Sequence, residues 1–398
     1  MDATKKASIL AAWAIAVLAM AFIPTSMSAE TAVDWPQSHL DAAHIGASDS
    51  GAPQSNETVW ISQDIGAQEG SSVAIADGRI YVNGVDHLVC LDQLSGQVLW
   101  NTSFEARLDI CQVWGSSPAY SSGRVFLSAL KTVCLNASDG RELWCFAPPT
   151  RKGSVDGGPA VADGRVLVSD WDGHHYYCLD EVTGRELWNF SVVGNAQSTP
   201  AISGGRVVLS GWEWGLGGKV YCLHLDNGSE IWNLSIKNSP CGSAALSNDT
   251  AYLTTYSFEG DGDVMAVSLQ NGSLLWVESI ARTDCTAALA AGRLYVCGGT
   301  DGFSEKAAYC FDAKTGDLIW KTPEIGEWRC SPAYADGLLF VGKTENMNYT
   351  ALYALNAGTG ETVWSYPAGG SSPAVAKGRV FTIGQGRVYA FGEAGDAQ

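Results

Sequence analysis

The chain has 398 residues and a net charge of −18 at neutral pH, from 24 Lys and Arg against 42 Asp and Glu. Such an acidic surface repels phosphate groups, which excludes nucleic acid and anionic membrane surfaces as partners. Hydrophobic residues make up 46% of the chain, enough for a large buried core.

The first element is a short apolar segment. Lys5 and Lys6 precede an apolar run over residues 9–23, and small residues follow as far as Ala29. This order predicts a secretory signal peptide over residues 1–29, with a retained N-terminal anchor as the alternative. A lead-in over residues 30–57 comes next. No transmembrane segment is expected in the mature chain.

A strict repeat occupies the rest of the chain. Tryptophan recurs every 44 residues, and a glycine stands four residues before each one. Each period reads as a small-residue strand, an Asp-Gly type of turn, a β-branched strand, a third strand, a Thr-Gly turn and the Trp-bearing strand. Such a period is typical of four-stranded propeller blades. The seven tryptophans are Trp100, Trp144, Trp188, Trp232, Trp276, Trp320 and Trp364.

The first and last copies of the repeat are incomplete in complementary ways. Trp60 lies in a lone fourth strand over residues 57–62, and the last copy ends after a third strand over residues 387–391. Together they make one more blade, which hides the sheet edges that each would otherwise expose. We therefore predict an all-β, eight-bladed propeller over residues 58–392, closed by pairing of the N-terminal strand with the C-terminal blade, and a tail over residues 393–398.

The repeat motif Tyr-x-Leu-Asp-x-x-Thr-Gly-x-x-x-Trp spans residues 177–188 and, with Phe311 in place of Leu, residues 309–320. It resembles the PQQ-repeat (pyrroloquinoline quinone) propeller family over nearly all of the chain after the leader. The resemblance implies the fold but not one activity, because the family includes quinone-dependent alcohol dehydrogenases and outer-membrane assembly scaffolds of the BamB type. PQQ and calcium are implied only by the enzymes. The chain lacks the adjacent cysteine pair and the large insertions typical of them, so we assign no cofactor, metal or catalytic residue.

The cysteines fall into repeat positions. Five occupy the same place in third strands, where alanine stands in other copies, which predicts core packing: Cys90, Cys134, Cys178, Cys222 and Cys310. Cys241, Cys285 and Cys330 lie instead where inner strands start, close to the propeller axis. We expect a disulfide between Cys285 and Cys330, with a thiolate metal site or simple packing of small side chains as alternatives.

Nine of the fourteen asparagines lie in Asn-x-Ser/Thr sequences, several of them at equivalent turns and outer strands. This frequency predicts an exported glycoprotein. The predicted glycosylation sites are Asn56, Asn101, Asn136, Asn189, Asn227, Asn233, Asn248, Asn271 and Asn348.

Function is expected where the copies differ. The irregular loops, between second and third strands and between successive blades, emerge on one face of a propeller, which we call the variable face. Non-repeat tryptophans fall in these loops, and two acids and an arginine stand at the mouth of the axial channel. We predict ligand binding by these residues; the alternative is that the tryptophans only cover their own blades. The predicted set is Trp114, Trp171, Trp212, Trp214, Trp328, Asp156, Asp284 and Arg329.

Together, these patterns favour a secreted or cell-envelope, non-catalytic propeller that binds a protein or carbohydrate partner through its variable face. Two alternatives remain open. One is a PQQ-dependent (quinoprotein) dehydrogenase, and the other is a structural protein of the cell envelope without a defined pocket.

Overall fold

The computed structural model describes residues 34–105, 115–150, 153 and 156–393. These residues form strands, turns and loops, and they include no helix long and apolar enough to cross a membrane. The strands build eight sheets around a common axis, seven of four antiparallel strands and one of five, whose additional strand pairs parallel with its neighbour. The predicted number of blades is therefore confirmed.

Within each blade the strands follow one another outward from the axis in chain order. The strands before blade 1 are β1 (Ala47–Ser48) and β2 (Thr58–Ile61). Blade 1 has β3 (Ala74–Ala76), β4 (Arg79–Asn83), β5 (His87–Asp92) and β6 (Val98–Ser103). Blade 2 has β7 (Ala119–Ser121), β8 (Arg124–Ser128), β9 (Thr132–Asn136) and β10 (Glu142–Phe146). Blade 3 has β11 (Ala160–Ala162), β12 (Arg165–Asp170), β13 (His175–Asp180) and β14 (Glu186–Ser191). Blade 4 has β15 (Ala201–Ser203), β16 (Arg206–Glu213), β17 (Gly217–His224) and β18 (Glu230–Ile236).

The second half of the ring repeats this arrangement. Blade 5 has β19 (Ala245–Ser247), β20 (Thr250–Thr254), β21 (Asp261–Ser268) and β22 (Leu274–Ala281). Blade 6 has β23 (Ala288–Ala290), β24 (Arg293–Thr300), β25 (Ser304–Asp312) and β26 (Leu318–Lys321). Blade 7 has β27 (Ala333–Ala335), β28 (Leu338–Glu345), β29 (Asn348–Asn356) and β30 (Thr362–Tyr366). Blade 8 has β31 (Ala374–Ala376), β32 (Arg379–Gly384) and β33 (Arg387–Phe391).

The missing outer strand of blade 8 is β2. It pairs antiparallel with β33, and Trp60 lies opposite Ala390. The inner strands contact one another in sequence, and β31 of blade 8 contacts β3 of blade 1. The two incomplete copies of the repeat thus form one blade, as predicted.

The tight turn between first and second strands follows from its sequence. Asp163 and Gly164 both have positive φ, 51° and 73°. A two-residue turn with two positive φ values has the twist that an antiparallel hairpin needs, and Asp-Gly adopts it at low cost.

The repeated Gly and Trp hold neighbouring blades together. Gly228 of blade 4 has a φ of 69°, and a Cβ atom on it would lie 2.6 Å from the Trp188 ring of blade 3. The Trp188 indole donates a hydrogen bond of 2.9 Å to the carbonyl of Leu225, also in blade 4. In the last step around the ring, the Trp364 indole donates instead to the carbonyl of Pro53 at 2.9 Å. Each repeat tryptophan is therefore a joint between blades as well as part of the core.

Residues 34–50, here called the plug, run along the inside of the ring. The inner strand of a propeller blade is an edge strand, whose backbone N–H groups face the channel without a neighbouring strand. The plug supplies acceptors to these groups, and it reaches all eight blades in chain order. The accepting residues are Trp35 for Ile75, Pro36 for Tyr120, Gln37 for Val161, Ala42 for Ile202, Ala43 for Leu246, Ile45 for Leu289, Gly46 for Tyr334 and Ser50 for Gly378.

Candidate functional site

The axis of the propeller contains a small polar cavity that opens toward the variable face. Its volume is about 70 Å³, and its floor includes Ser38 and His39 of the plug. The walls come from the starts of the inner strands, including Asp156, Asp284 and Arg329. The structure therefore places the three predicted residues of the channel mouth around one cavity.

Two carboxyl groups dominate the electrostatics of this cavity. Burial raises the pKa of Asp156 to about 6, although the Gln197 amide and the Arg329 charge favour its ionised form. Burial and the neighbouring Asp156 charge raise the pKa of Asp284 well above its usual range. Asp284 Oδ1 is buried and has no hydrogen-bond partner among the described residues. Near neutral pH the pair is therefore suited to bind a proton or a hydrogen-bond donor.

Two polar links hold the mouth in place. Gln197 Nε2 donates to Asp156 Oδ2 at 2.9 Å, and the Trp212 indole donates to Gln197 Oε1 at 2.8 Å. On the other side, Arg329 Nε donates to Glu327 Oε1 at 3.2 Å, and its guanidinium lies 5.5 Å from the Trp328 ring. Predicted tryptophans thus support the cavity from behind.

Trp212 and Trp328 belong to one aromatic cluster that spans blades 4 to 7. The Trp214 ring lies 5.1 Å from Trp212 and 4.5 Å from Phe258. Tyr256 continues the cluster, 5.0 Å from Phe258 and 5.3 Å from Trp328. Only Trp214 and Phe258 expose much of their surface, at 64% and 38%. Trp212 and Trp328 are buried beneath this face, and ligand binding by them stays a prediction.

Arg282 also lies beside this aromatic cluster, although the sequence analysis did not predict it as a site residue. It is buried, and its guanidinium lies 4.0 Å from the Phe303 ring and 4.9 Å from the Tyr256 ring. A cation between two aromatic faces is held by attraction to both. Phe303 itself remains 67% exposed on the far side.

Five exposed apolar side chains of this face lie in four consecutive blades. They occupy the loops between second and third strands of blades 4, 5, 6 and 7, and we call them the apolar arc. The arc consists of Trp214, Leu216, Phe258, Phe303 and Met347. The search for tryptophans predicted only Trp214 among these five residues. The other four exposed side chains are Leu, Phe or Met, which the repeat pattern does not distinguish.

The remaining predicted tryptophans are not part of this cluster. Trp114 lies outside the described residues. Trp171 is half-buried in blade 3, where its backbone bonds Gly153 and Ala196. The contacts among described residues do not join its ring to the cluster. Of the predicted set, Asp156, Asp284 and Arg329 line the cavity, Trp212 and Trp328 are buried beside it, and Trp214 is exposed in the apolar arc.

The cysteine predictions have different outcomes. The five third-strand cysteines are fully buried, as core packing requires. Cys285 and Cys330 are both free thiols in the structure, so the disulfide expected between them stays a prediction. Cys285 Sγ bonds the backbone of Cys297 in its own blade, and Cys330 Sγ accepts from Gly342 N at 3.2 Å in its own blade. Each side chain is turned along its blade rather than toward the other.

Comparison with known proteins identifies the family. A family model described as "Outer membrane protein assembly factor BamB" matches residues 46–144, 130–366 and 260–398, nearly the whole propeller. The chain belongs to this family. The structure of BamB from Moraxella catarrhalis superposes with a TM-score of 0.68 at 14% identity, covering 84% of this chain and 99% of that one.

Other proteins resemble this chain in fold or over part of its sequence. The quinohemoprotein alcohol dehydrogenase from Comamonas testosteroni has a TM-score of 0.73 at 13% identity, covering 91% of this chain and 81% of that chain. In sequence, a quinone alcohol dehydrogenase subunit of Gluconacetobacter polyoxogenes is 27% identical over 33% of this chain and 20% of its own length. The kinase AfsK of Streptomyces coelicolor is 32% identical over 32% of this chain and 15% of its own. The chain thus spans a fifth or less of these two relatives, and the structural likeness shows the fold alone.

The cavity does not fit the cofactors that the dehydrogenases imply. A volume of about 70 Å³ is far below the roughly 300–1,000 Å³ of pockets that hold small-molecule ligands. Calcium takes six to eight oxygen ligands. Among the described residues, no three His, Cys, Asp or Glu side chains converge in a way that would hold a metal ion. The residues present therefore fit neither a fused-ring quinone nor its calcium ion.

Proposed function

We propose that this BamB-family propeller is a non-catalytic binding module that holds a partner protein on its variable face. The observation that supports it is the apolar arc, in which Trp214 and Phe303 are 64% and 67% exposed. Large apolar side chains gathered on one side of a soluble domain usually mark a recognition surface. Aromatic anchors of this kind supply most of the energy of many protein interfaces.

The rigidity of the arc supports the same function. Phe258 packs on Trp214 and Tyr256, and Phe303 packs on the buried Arg282. Side chains already held in place lose little entropy when a partner binds, so more of the contact energy becomes affinity.

We propose that the module works outside the cytoplasmic membrane, as the name of its family indicates for BamB. Eight of the nine predicted glycosylation asparagines are exposed, and Asn136 alone is half-buried. Asn227 uses its Oδ1 atom for a turn bond with Ser229 at 2.9 Å, which does not engage Nδ2, the atom that receives a glycan. The leader expected over residues 1–29 lies outside the described residues.

The test uses crosslinking from each face. A photoreactive residue is placed at Phe303 or, as the matched control, at Val182, which is 61% exposed in a turn of the opposite face. We expect one protein to crosslink from position 303 and not from 182. With that protein purified, Trp214→Ala/Phe303→Ala should weaken binding by at least 30-fold, the size of a hot-spot loss. The control Leu94→Ala/Val182→Ala should change it less than twofold.

Other outcomes would replace this proposal. Equal crosslinking from both faces would remove the variable face as the binding surface. Binding to defined glycans on an array, lost in the arc variant, would make the partner a carbohydrate. Saturable quenching of tryptophan fluorescence by PQQ with calcium, together with dye-linked alcohol oxidation, would establish the dehydrogenase alternative.

A further inference from the structure

The blades are joined near the axis by a repeated polar contact. It comes from a residue in the second strand, twelve positions after the residue that lies three before the inner strand, as Cys297 follows Cys285. In blade 1, Asn83 Nδ2 donates to the carbonyl of Ser116 in blade 2 at 2.9 Å. In blade 5, Thr254 Oγ1 donates to the carbonyl of Cys285 in blade 6 at 2.6 Å. This second-strand position therefore points at the start of the next blade.

In blade 6 the residue at this position is Cys297, and blade 7 starts with Cys330. Both residues are fully buried, and the Cys330 side chain is close enough to contribute to the raised pKa of the Cys297 thiol. The repeat geometry and this proximity both place the Cys297 side chain at the boundary between blades 6 and 7, next to Cys330. The Cys285 side chain does not point across this boundary. Its Sγ donates to the Cys297 carbonyl of its own blade at 3.1 Å.

We propose that Cys297 and Cys330 form a disulfide bond between blades 6 and 7 when the chain folds in an oxidising compartment. The oxidant is a small disulfide such as oxidised glutathione. One cysteine thiolate attacks it, forms a mixed disulfide and releases one glutathione thiolate. The second cysteine thiolate then attacks the mixed disulfide, so the pair loses two electrons and two glutathione thiols leave.

Burial determines when this reaction takes place. It raises the pKa of the Cys297 thiol well above its usual range, so the folded protein contains very little of the reactive thiolate. Exchange must therefore occur while the two blades are still coming together. Once formed, the bond is shielded from reductants in solution.

The position of the bond has a consequence for the variable face. Cys330 directly follows Arg329 of the cavity mouth, and blades 6 and 7 provide Phe303 and Met347 of the apolar arc. A covalent link at this boundary fixes the spacing of those two blades. The inference does not depend on which partner binds there.

The test counts thiols after refolding. The denatured full-length chain is refolded with oxidised and reduced glutathione, unfolded again without reductant, and titrated. We expect nine free thiols of the eleven cysteines, and a joined peptide containing Cys297 and Cys330 in a digest. Eleven free thiols, or a joined peptide that pairs other cysteines alone, would overturn the proposal.

Two variants sharpen the result. Cys297→Ser should give ten free thiols and no joined peptide, whereas the control Cys285→Ser should give eight and retain it. Serine occupies the same second-strand position at Ser128 and Ser210, so Cys297→Ser is expected to fold. If it does not fold, the peptide map of the unsubstituted chain still decides the question.

Discussion

Gln37 offers the sharpest test of the plug. Its side chain imitates a strand: Nε2 donates to the Val161 carbonyl at 2.9 Å, and Oε1 accepts from the Val161 N–H at 2.8 Å. Both residues are buried, at 7% and 4% exposure. Gln37→Ala leaves two buried backbone groups of blade 3 unpaired, each costing about 1–2 kcal/mol. We therefore expect a loss of about 3 kcal/mol in the free energy of unfolding.

Urea denaturation followed by tryptophan fluorescence measures this loss. With a slope of about 3 kcal/mol per molar urea, the midpoint should fall by about 1 M. Gln54→Ala is the matched control, because Gln54 is exposed and bonds only the nearby Ala52 carbonyl. That control should change the free energy by less than about 0.5 kcal/mol. Equal, small effects of both substitutions would show that the plug does not stabilise the ring.

Three further predictions concern burial and strain. Burial lowers the pKa of His44 to about 3, so His44 stays neutral in the folded protein but gains a proton below pH 6.5 in the unfolded one. Between pH 6.5 and 4.5 the unsubstituted chain should therefore lose about 2–3 kcal/mol more stability than the His44→Gln variant. Urea unfolding at each pH measures this difference. The pKa of Asp156 is raised from 3.8 to about 6, so the unfolded form loses this proton first, and the protein loses stability as the pH rises from about 4 to 6. Asp156→Asn should therefore raise the melting temperature at pH 7 and stabilise the fold by about 1–2 kcal/mol, after allowance for partial exposure. This stabilisation should disappear near pH 4, and a stabilisation independent of pH would contradict this reasoning. Gly228→Ala places a Cβ within 2.6 Å of Trp188, whereas the Cβ of Gly164→Ala, at a similar positive φ, meets open space. Calorimetry should find that Gly228→Ala lowers the free energy of unfolding by at least about 1 kcal/mol more than Gly164→Ala. Equal losses would mean that backbone strain alone explains both.

The blade count and the closure of the ring were predictable because they are properties of the repeat. The fixed spacing of Gly and Trp shows which residues of the repeats are equivalent. The complementary incomplete repeats around Trp60 and Tyr389 indicate that these two segments pair in one blade. The contact between Gly228 and Trp188 explains why the spacing is so strict. A register error there would place an indole against a side chain instead of a bare backbone.

The plug was not predictable, because residues 34–50 do not share the repeat. Each of its bonds joins it to a different blade, and no local pattern records such distant partners. The same limit applies to the aromatics of the variable face. Trp212 and Trp214 are two positions apart, yet they are 3% and 64% exposed. Their difference depends on Gln197 and Phe258, which belong to other loops.

The cysteines show that an alignment of repeats does not reveal which way a side chain points. Cys285 and Cys330 are equivalent positions in neighbouring blades, which suggested a bridge between them. Equivalent side chains point in the same direction around a ring, so they follow rather than face each other. The contact across the boundary instead joins non-equivalent positions, as Cys297 and Cys330 illustrate.

The pairing of β2 with β33 also affects how the molecule is made. Residues 58–61 leave the ribosome long before their partner strand at residues 387–391. In that interval β2 lacks its neighbour, and its exposed backbone is open to wrong pairing with other chains. Closing the ring must bring together residues that are far apart in the sequence, which favours slow maturation and protection by a chaperone in the interval.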